Sequence, residues 1–230
     1  MVTQSDGEIF STLGNPAYFA AYLLFHVFFA LYLAHTATSK EGRMLFRALA
    51  ALEALVVLLT GVSAAFLALV IGLAVAAYPF LKGRTFAARG IAFFGVALVV
   101  ILAFFLSSPH LQKLNPFAEG QALAAQGRFA VWRIAAAGVA ERPLYGHGPN
   151  QFERIFLEYK AQGWPVPATG ETFDKPHNAF LEVAVSFGLA GLAAYLWLLW
   201  VVIQGIRAIP NPRERFVFFG LLAAYLISLF

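Results

Sequence analysis

His177-Asn178 is followed by nine residues and then Gly188-Leu-Ala-Gly191, an H-N-x9-G-x-x-G pattern. Asp174 is a candidate N-cap and Pro176 fits the first turn of a helix, which places His177 at a helix N-terminus. The positive end of the helix dipole there favours the neutral ring, the form able to take up a proton. Asn178 adjoins it and would help to position it. Glu182 lies one turn further along on the same face as Asn178, inside an apolar stretch where a charge is costly and often functional. Glu53 is a second carboxylate in such a stretch, expected to be protonated or paired within a bundle. His147 stands in Gly146-His-Gly148 and reads as an exposed turn residue rather than a catalyst. Gly188 and Gly191, with Ala184 a turn earlier, read as a small-residue helix-packing face. No His/Asp/Glu group has metal-ligand spacing, and with zero cysteines there is neither a thiolate site nor a Cys nucleophile.

The elements around these residues come from the composition. Of 230 residues 60% are hydrophobic and 12% charged, and the mean hydropathy is +0.73. Ordinary soluble domains are roughly 45–50% apolar and about 25% charged. A membrane is therefore the expected solvent, and a disordered chain, a coiled coil and a disulfide scaffold are excluded. The net charge of +4 does not point to nucleic acid, because basic loops beside membrane spans produce the same excess.

Apolar windows of about 20 residues, matched to a hydrocarbon core of roughly 30 Å, predict about six spans. The first runs from Pro16 to about Ala37. The second and third share Leu45 to Leu81, divided near Thr60-Gly61-Val62-Ser63. The fourth runs from about Ile91 to Leu106, the fifth from about Asn178 to Ile206, and the sixth starts at Phe216. Lys40, Arg43 and Arg47, then Lys82, Arg84 and Arg89, then Arg207, Arg213 and Arg215 follow spans one, three and five. Alternation puts all three clusters on one side, which the positive-inside rule makes cytoplasmic. The expected fold is an all-α polytopic transmembrane helix bundle with four spans in 1–106, an extracytoplasmic loop in 107–177 and two spans in 178–230.

That loop is far longer than a usual connection. It holds seven basic and six acidic residues and is rich in aromatics (Phe129, Trp132, Tyr145, Phe152, Phe156, Tyr159 and Trp164 among them), so it should be folded. Phe129, Trp132, Ala136 and Val139 recur at helical spacing, predicting an amphipathic helix from Gln121 to Glu141 on the membrane surface. A Gly/Pro turn follows through Pro149, then a short helix over Gln151 to Gln162.

Four stretches in order resemble one family. They are Gly14-Asn15-Pro16 at the start of the first span, Gly127-Arg128-x3-Trp132, Pro143-Leu-Tyr-Gly146-His-Gly148-x3-Phe152, and the His177-Asn178 pattern. As a set they are similar to the O-antigen ligase and O-antigen polymerase superfamily of membrane glycosyltransferases. The match runs from about Ser11 to Gly191. Where that family commonly reads Thr-Gly-Ser-Arg-Gly, this chain reads Thr60-Gly61-Val62-Ser63-Ala64 and lacks the arginine. The family usually has about ten or more spans, so the resemblance implies a C-terminal portion.

The resemblance implies transfer of a glycan from a polyprenyl-diphosphate donor to a hydroxyl acceptor such as lipid A-core. The site would lie at the outer face of a bacterial inner membrane and need no cofactor and no metal. Within that reaction His177 would be the base or acceptor-orienting residue, and Asn178 would position it. Arg128 would clamp the diphosphate, because a guanidinium binds phosphate oxygens in a bidentate way. Arg133, Arg142 and Glu182 would assist in substrate binding. The partners implied are the donor, the acceptor and the bilayer, with no nucleic acid. A polymerase or a protein O-oligosaccharyltransferase shares these features and differs in acceptor. A transporter would show internal repeats and broken midplane helices, and an inactive fragment would explain the missing arginine.

Overall fold

The computed structural model describes residues 15–81, 119–164, 166 and 172–229, and every regular element among them is a helix. The helices are α1 (Pro16–Thr36), α2 (Lys40–Leu59), α3 (Ser63–Leu81), α4 (Glu119–Glu141), α5 (Phe152–Ala161), α6 (Ala179–Ala208) and α7 (Pro212–Ser228). The expected fourth span, with Lys82, Arg84 and Arg89, lies outside the described residues.

Local chemistry starts these helices. Asn15 Oδ1 accepts the amide N–H of Ala17 at 2.8 Å, and Pro16 opens α1 with no N–H to satisfy. Ser39 Oγ accepts from Gly42 N at 2.9 Å and begins α2 at Lys40. This is five residues ahead of the apolar run, because the first turn of α2 is charged. Asn211 Oδ1 accepts from Arg213 N at 3.0 Å at the head of α7. Along α5 the buried residues Phe152, Ile155, Phe156 and Tyr159 fall at helical spacing and form one inward stripe.

The chain divides into two units. The first gathers α1, α2, α3, α7 and the last turn of α6. Leu24, Val27 and Phe28 of α1, Val57 of α2, Ala68 and Leu69 of α3 and Ala224 of α7 form its core. Gly72 of α3 faces Gly220 of α7 so closely that a Cβ on Gly72 would lie 2.7 Å from Gly220 O and 2.6 Å from the Phe28 ring. Between apolar helices in an apolar solvent, close backbone approach of this kind provides the packing attraction. Two polar contacts cross the unit. His26 Nδ1 lies 3.5 Å from Glu53 Oε1, and Asn211 Nδ2 lies 3.3 Å from His35 Nε2. Glu53 is thus paired within the bundle.

Three described helices are long and apolar enough to cross a membrane: α1, α3 from Ser63 to Phe80, and α6. Helix α2 carries Lys40, Glu41, Arg43, Arg47 and Glu53, and α7 has 17 residues. The second unit gathers α4, α5 and α6 as far as Ile203. Its core joins Val131, Ile134 and Ala135 of α4 to Ile155 and Phe156 of α5 and Val185 of α6.

Candidate active site

Helix α6 is broken at Gly188, whose φ of 67° and ψ of −168° are not helical. In an unbroken helix Leu189 N–H would bond Val185 O and Ala190 N–H would bond Ser186 O. Here the turn that follows α4 takes over all four groups. His147 N–H donates to Val185 O at 2.8 Å and Gly148 N–H to Ser186 O at 2.9 Å. Leu189 N–H donates to Pro143 O at 2.7 Å and Ala190 N–H to Leu144 O at 3.3 Å. Two helical bonds are exchanged for four bonds to the turn, so the break leaves none of these backbone groups unpaired.

Two glycines permit the exchange. Gly146 and Gly188 both have positive φ, at 70° and 67°. A Cβ on Gly146 would fall 2.5 Å from Val185 O and 2.6 Å from Gly188 N. One on Gly188 would meet the Leu144 carbonyl and lie 2.6 Å from Tyr145 N. The expected small-residue face is therefore corrected at Gly188, which admits the backbone of a turn rather than the side of a helix.

His147 is corrected as well. Its side chain is 3% exposed. Its Nε2 lies 2.8 Å from Gly138 O, a carbonyl that can only accept, so Nε2 carries the proton. The ring ties the turn back to α4. Nearby, Tyr159 O–H donates to Glu141 Oε1 at 2.6 Å, joining α5 to the end of α4. The bond to Glu141, followed by burial, pushes the Tyr159 phenol up from 10.0 to about 12.

The start of α6 is held on both sides of His177. Pro176 is fully buried, and its carbonyl accepts from the Trp132 indole N–H of α4 at 2.9 Å. Asn178 is buried, and its Oδ1 accepts from Phe180 N at 3.0 Å and Leu181 N at 3.2 Å, which makes it the N-cap of α6. The expected cap, Asp174, is exposed and lies before the helix. The tertiary bond at Pro176 extends the backbone past it, so the helix starts four residues later than Asp174 suggests.

Between these anchors His177 has a φ of 50°. A non-glycine residue held in this region costs on the order of 1 kcal/mol and persists where its surroundings determine it. Its ring is exposed and edge-on to Phe173 at 6.0 Å. The anchors fix the backbone while the imidazole remains accessible.

The remaining expected residues separate into near and far. Arg128 is exposed and stands one turn before Trp132 on the same face of α4, so the Trp132–Pro176 bond brings that face beside His177. Arg133 points elsewhere, with its guanidinium 5.8 Å from the centre of the Trp164 ring. Arg142 follows α4 and is exposed. At 1.5 Å per residue it is roughly 20 Å along the axis from Arg128, too far for both to grip one diphosphate. Glu182 is half-buried in the first turn of α6, where a carboxylate complements the helix dipole. Among the described residues no three His, Asp or Glu side chains converge as a metal-binding group.

Sequence reasoning missed Trp132 as the anchor of Pro176 and Gly146 with Gly188 as a matched pair. The signal for both was present in the ordered motifs that contain them.

Comparison with known proteins agrees with the motifs. A protein of Rickettsia bellii (strain RML369-C) named "Putative polysaccharide ligase" is 30% identical over 95 residues, covering 38% of this chain and 22% of that protein. A second of that name, from Rickettsia conorii (strain ATCC VR-613 / Malish 7), is 23% identical over 107 residues, covering 44% of this chain and 25% of its own length. The matched region thus spans about a quarter of these relatives. The O-antigen ligase family matches residues 48–196, well over half of the chain, a segment that includes α4, the turn at Gly146, His177-Asn178 and the break at Gly188. The chain belongs to the O-antigen ligase family.

Proposed function

We propose that the protein transfers a glycan from a polyprenyl-diphosphate donor to a hydroxyl acceptor at the outer face of a bacterial inner membrane. The observation that carries this reading is the family match across the segment that holds His177 between two anchored neighbours. In the reaction the acceptor oxygen attacks the anomeric carbon as the bond from that carbon to the diphosphate oxygen breaks. The polyprenyl diphosphate leaves with the electron pair, and the hydroxyl proton passes to the free nitrogen of His177. His177 orients and deprotonates the acceptor, and Asn178 sets its place by capping α6. Arg128 neutralises the departing diphosphate. Arg133, Arg142 and Glu182 bind more distant parts of the substrates, since Arg142 lies beyond the reach of an Arg128-bound diphosphate.

The membrane placement belongs to the same reading. A 30-residue helix is about 45 Å long, against a hydrocarbon core of roughly 30 Å. The break at Gly188 leaves the stretch from Leu189 to Ala208 to span, and its large side chains, such as Leu196, Trp197 and Trp200, are exposed as lipid-facing groups should be. The part from Ala179 to Phe187 stands above the core with the 107–177 loop, and α4 lies along the surface. Six spans in all, with the basic clusters inside, complete the topology.

The test incubates purified full-length protein with a polyprenyl-diphosphate glycan and a lipid A-core acceptor. Glycosylated acceptor is the expected product. Lengthening of the donor glycan in its place would assign a polymerase, and absence of any transfer would overturn the reading.

A further inference from the structure

The first unit contains a cavity of about 460 Å³ at the end of the bundle where α1 and α3 finish and α2 and α7 begin. Its apolar wall includes Leu31, Leu73, Phe80 and Val217, and its charged rim is Arg43, Arg47 and Arg213. None of the three arginines forms an ion pair with a carboxylate among the described residues. Arg43 donates to Ala37 O at 3.4 Å, and Arg213 lies 5.3 Å from the centre of the Phe80 ring, so both guanidinium groups are steadied by neutral partners. His35 joins the lining, with Nε2 accepting from Asn211 Nδ2, which leaves Nδ1 as its donor nitrogen. The acid next to this group, Glu214, accepts from the same Asn211 at 2.7 Å.

Three cations beside an apolar pocket suit one kind of ligand, an anion that carries hydrocarbon. We propose that this cavity binds the phosphate headgroup of an anionic phospholipid, with the first carbons of its chains against Phe80, Leu73 and Val217. The volume is enough for a headgroup and the beginning of its chains, not for a whole lipid. Lipid is favoured over a free anion by its surroundings, because α1 and α3 are long and apolar enough to cross a membrane and the cavity opens at their ends. Basic pockets between membrane helices are general sites for such headgroups. The proposal does not depend on glycosyl transfer.

Native mass spectrometry of the full protein in micelles tests it with phosphatidylglycerol and phosphatidylcholine of identical chains. At least a tenfold preference for phosphatidylglycerol is expected. Replacing Arg43, Arg47 and Arg213 together by alanine should abolish the preference, while replacing all three by lysine should retain most of it and Arg207→Ala should leave it unchanged. Equal retention of the two lipids would overturn the proposal, as would a preference that survives the triple alanine variant or falls equally with Arg207→Ala. An inorganic phosphate arm separates the two sources of the anion. Arginine-dependent displacement of phosphatidylglycerol by millimolar phosphate would assign the cavity to a free anion and overturn the lipid, whereas lipid retained in phosphate supports it.

Discussion

Gly72 and Gly220 in the first unit, and Gly146 and Gly188 in the second, are both pairs in which a Cβ would strike the backbone of the facing segment. In the first unit both glycines lie inside regular helices, and the contact brings two apolar surfaces together. In the second both have positive φ and lie where the chain leaves regular structure. What they admit is a set of backbone hydrogen bonds rather than a packed face. One region therefore depends on the close packing of two regular helices, and the other on backbone conformation and the hydrogen bonds it permits. The residues of the candidate active site belong to the second.

The comparison is tested hardest by one methyl group in each unit. Gly188→Ala should cost on the order of 3 kcal/mol, because the new Cβ meets the Leu144 carbonyl at a backbone angle alanine rarely adopts. Hydrogen exchange should then speed up together at the amides of His147, Gly148, Leu189 and Ala190, which share the interlock. Gly220→Ala should cost about 2 kcal/mol, because its Cβ would strike Gly72 O, a backbone atom, and α3 and α7 must separate to admit it. The Phe28 ring, the second contact, can turn aside, and alanine gains about 1 kcal/mol over glycine inside a helix, which keeps the cost below that at Gly188. Thermal unfolding of the two variants compares them, and equal costs would erase the distinction between the units.

Legibility in the sequence follows the same division. The head of α1 could be read from Asn15-Pro16 because cap and proline act within three residues. The stripe of α5 and the length of α4 could be read from helical spacing. Thr60-Gly61-Val62 marks the break between α2 and α3 for the same local reason. The start of α6 could not be read: Asp174 is a good cap by type, but Pro176 is tied to Trp132, 44 positions away. The break at Gly188 was hidden likewise, since Gly188-Leu-Ala-Gly191 also suits a helix-packing face. Only a turn some 40 residues earlier shows otherwise. His147 looked exposed because its turn is polar, although its acceptor is a carbonyl in the helix before it. The candidate residues themselves were legible as types in ordered motifs, while the bond from Trp132 to Pro176 that sets the Arg128 face beside His177 was not.

Smaller effects sharpen the picture. Trp132→Phe keeps an aromatic ring but loses the N–H to Pro176 O and the second ring of the indole, so it should cost about 1–2 kcal/mol of stability. Transfer should fall more than that stability loss explains, because the backbone before His177 is released; the rate of the purified variant at saturating donor measures this. Asn178→Ala and Asn211→Ala each remove an N-cap worth about 1 kcal/mol. Asn211→Ala should destabilise somewhat more in thermal melts, because its amide also bonds His35 and Glu214, yet only Asn178→Ala should slow transfer.

The smallest effect at neutral pH concerns Tyr159. Its phenol titrates near 12 in the folded protein against 10.0 without its partners. The folded state therefore holds this proton more tightly, and the associated stability is complete below pH 10 and lost as pH rises towards 12. Tyr159→Phe should flatten that alkaline decline in a pH series of melting temperatures and change little at pH 7.

The central claim is that the anchored geometry around His177 serves proton removal from the acceptor. Transfer by purified His177→Ala, compared with the unaltered protein at equal folded concentration, tests it most directly. The expected result is a fall in rate of about 10²- to 10⁴-fold with the melting temperature nearly unchanged, since the ring makes few contacts. Transfer at the unaltered rate by a folded His177→Ala protein would contradict the account.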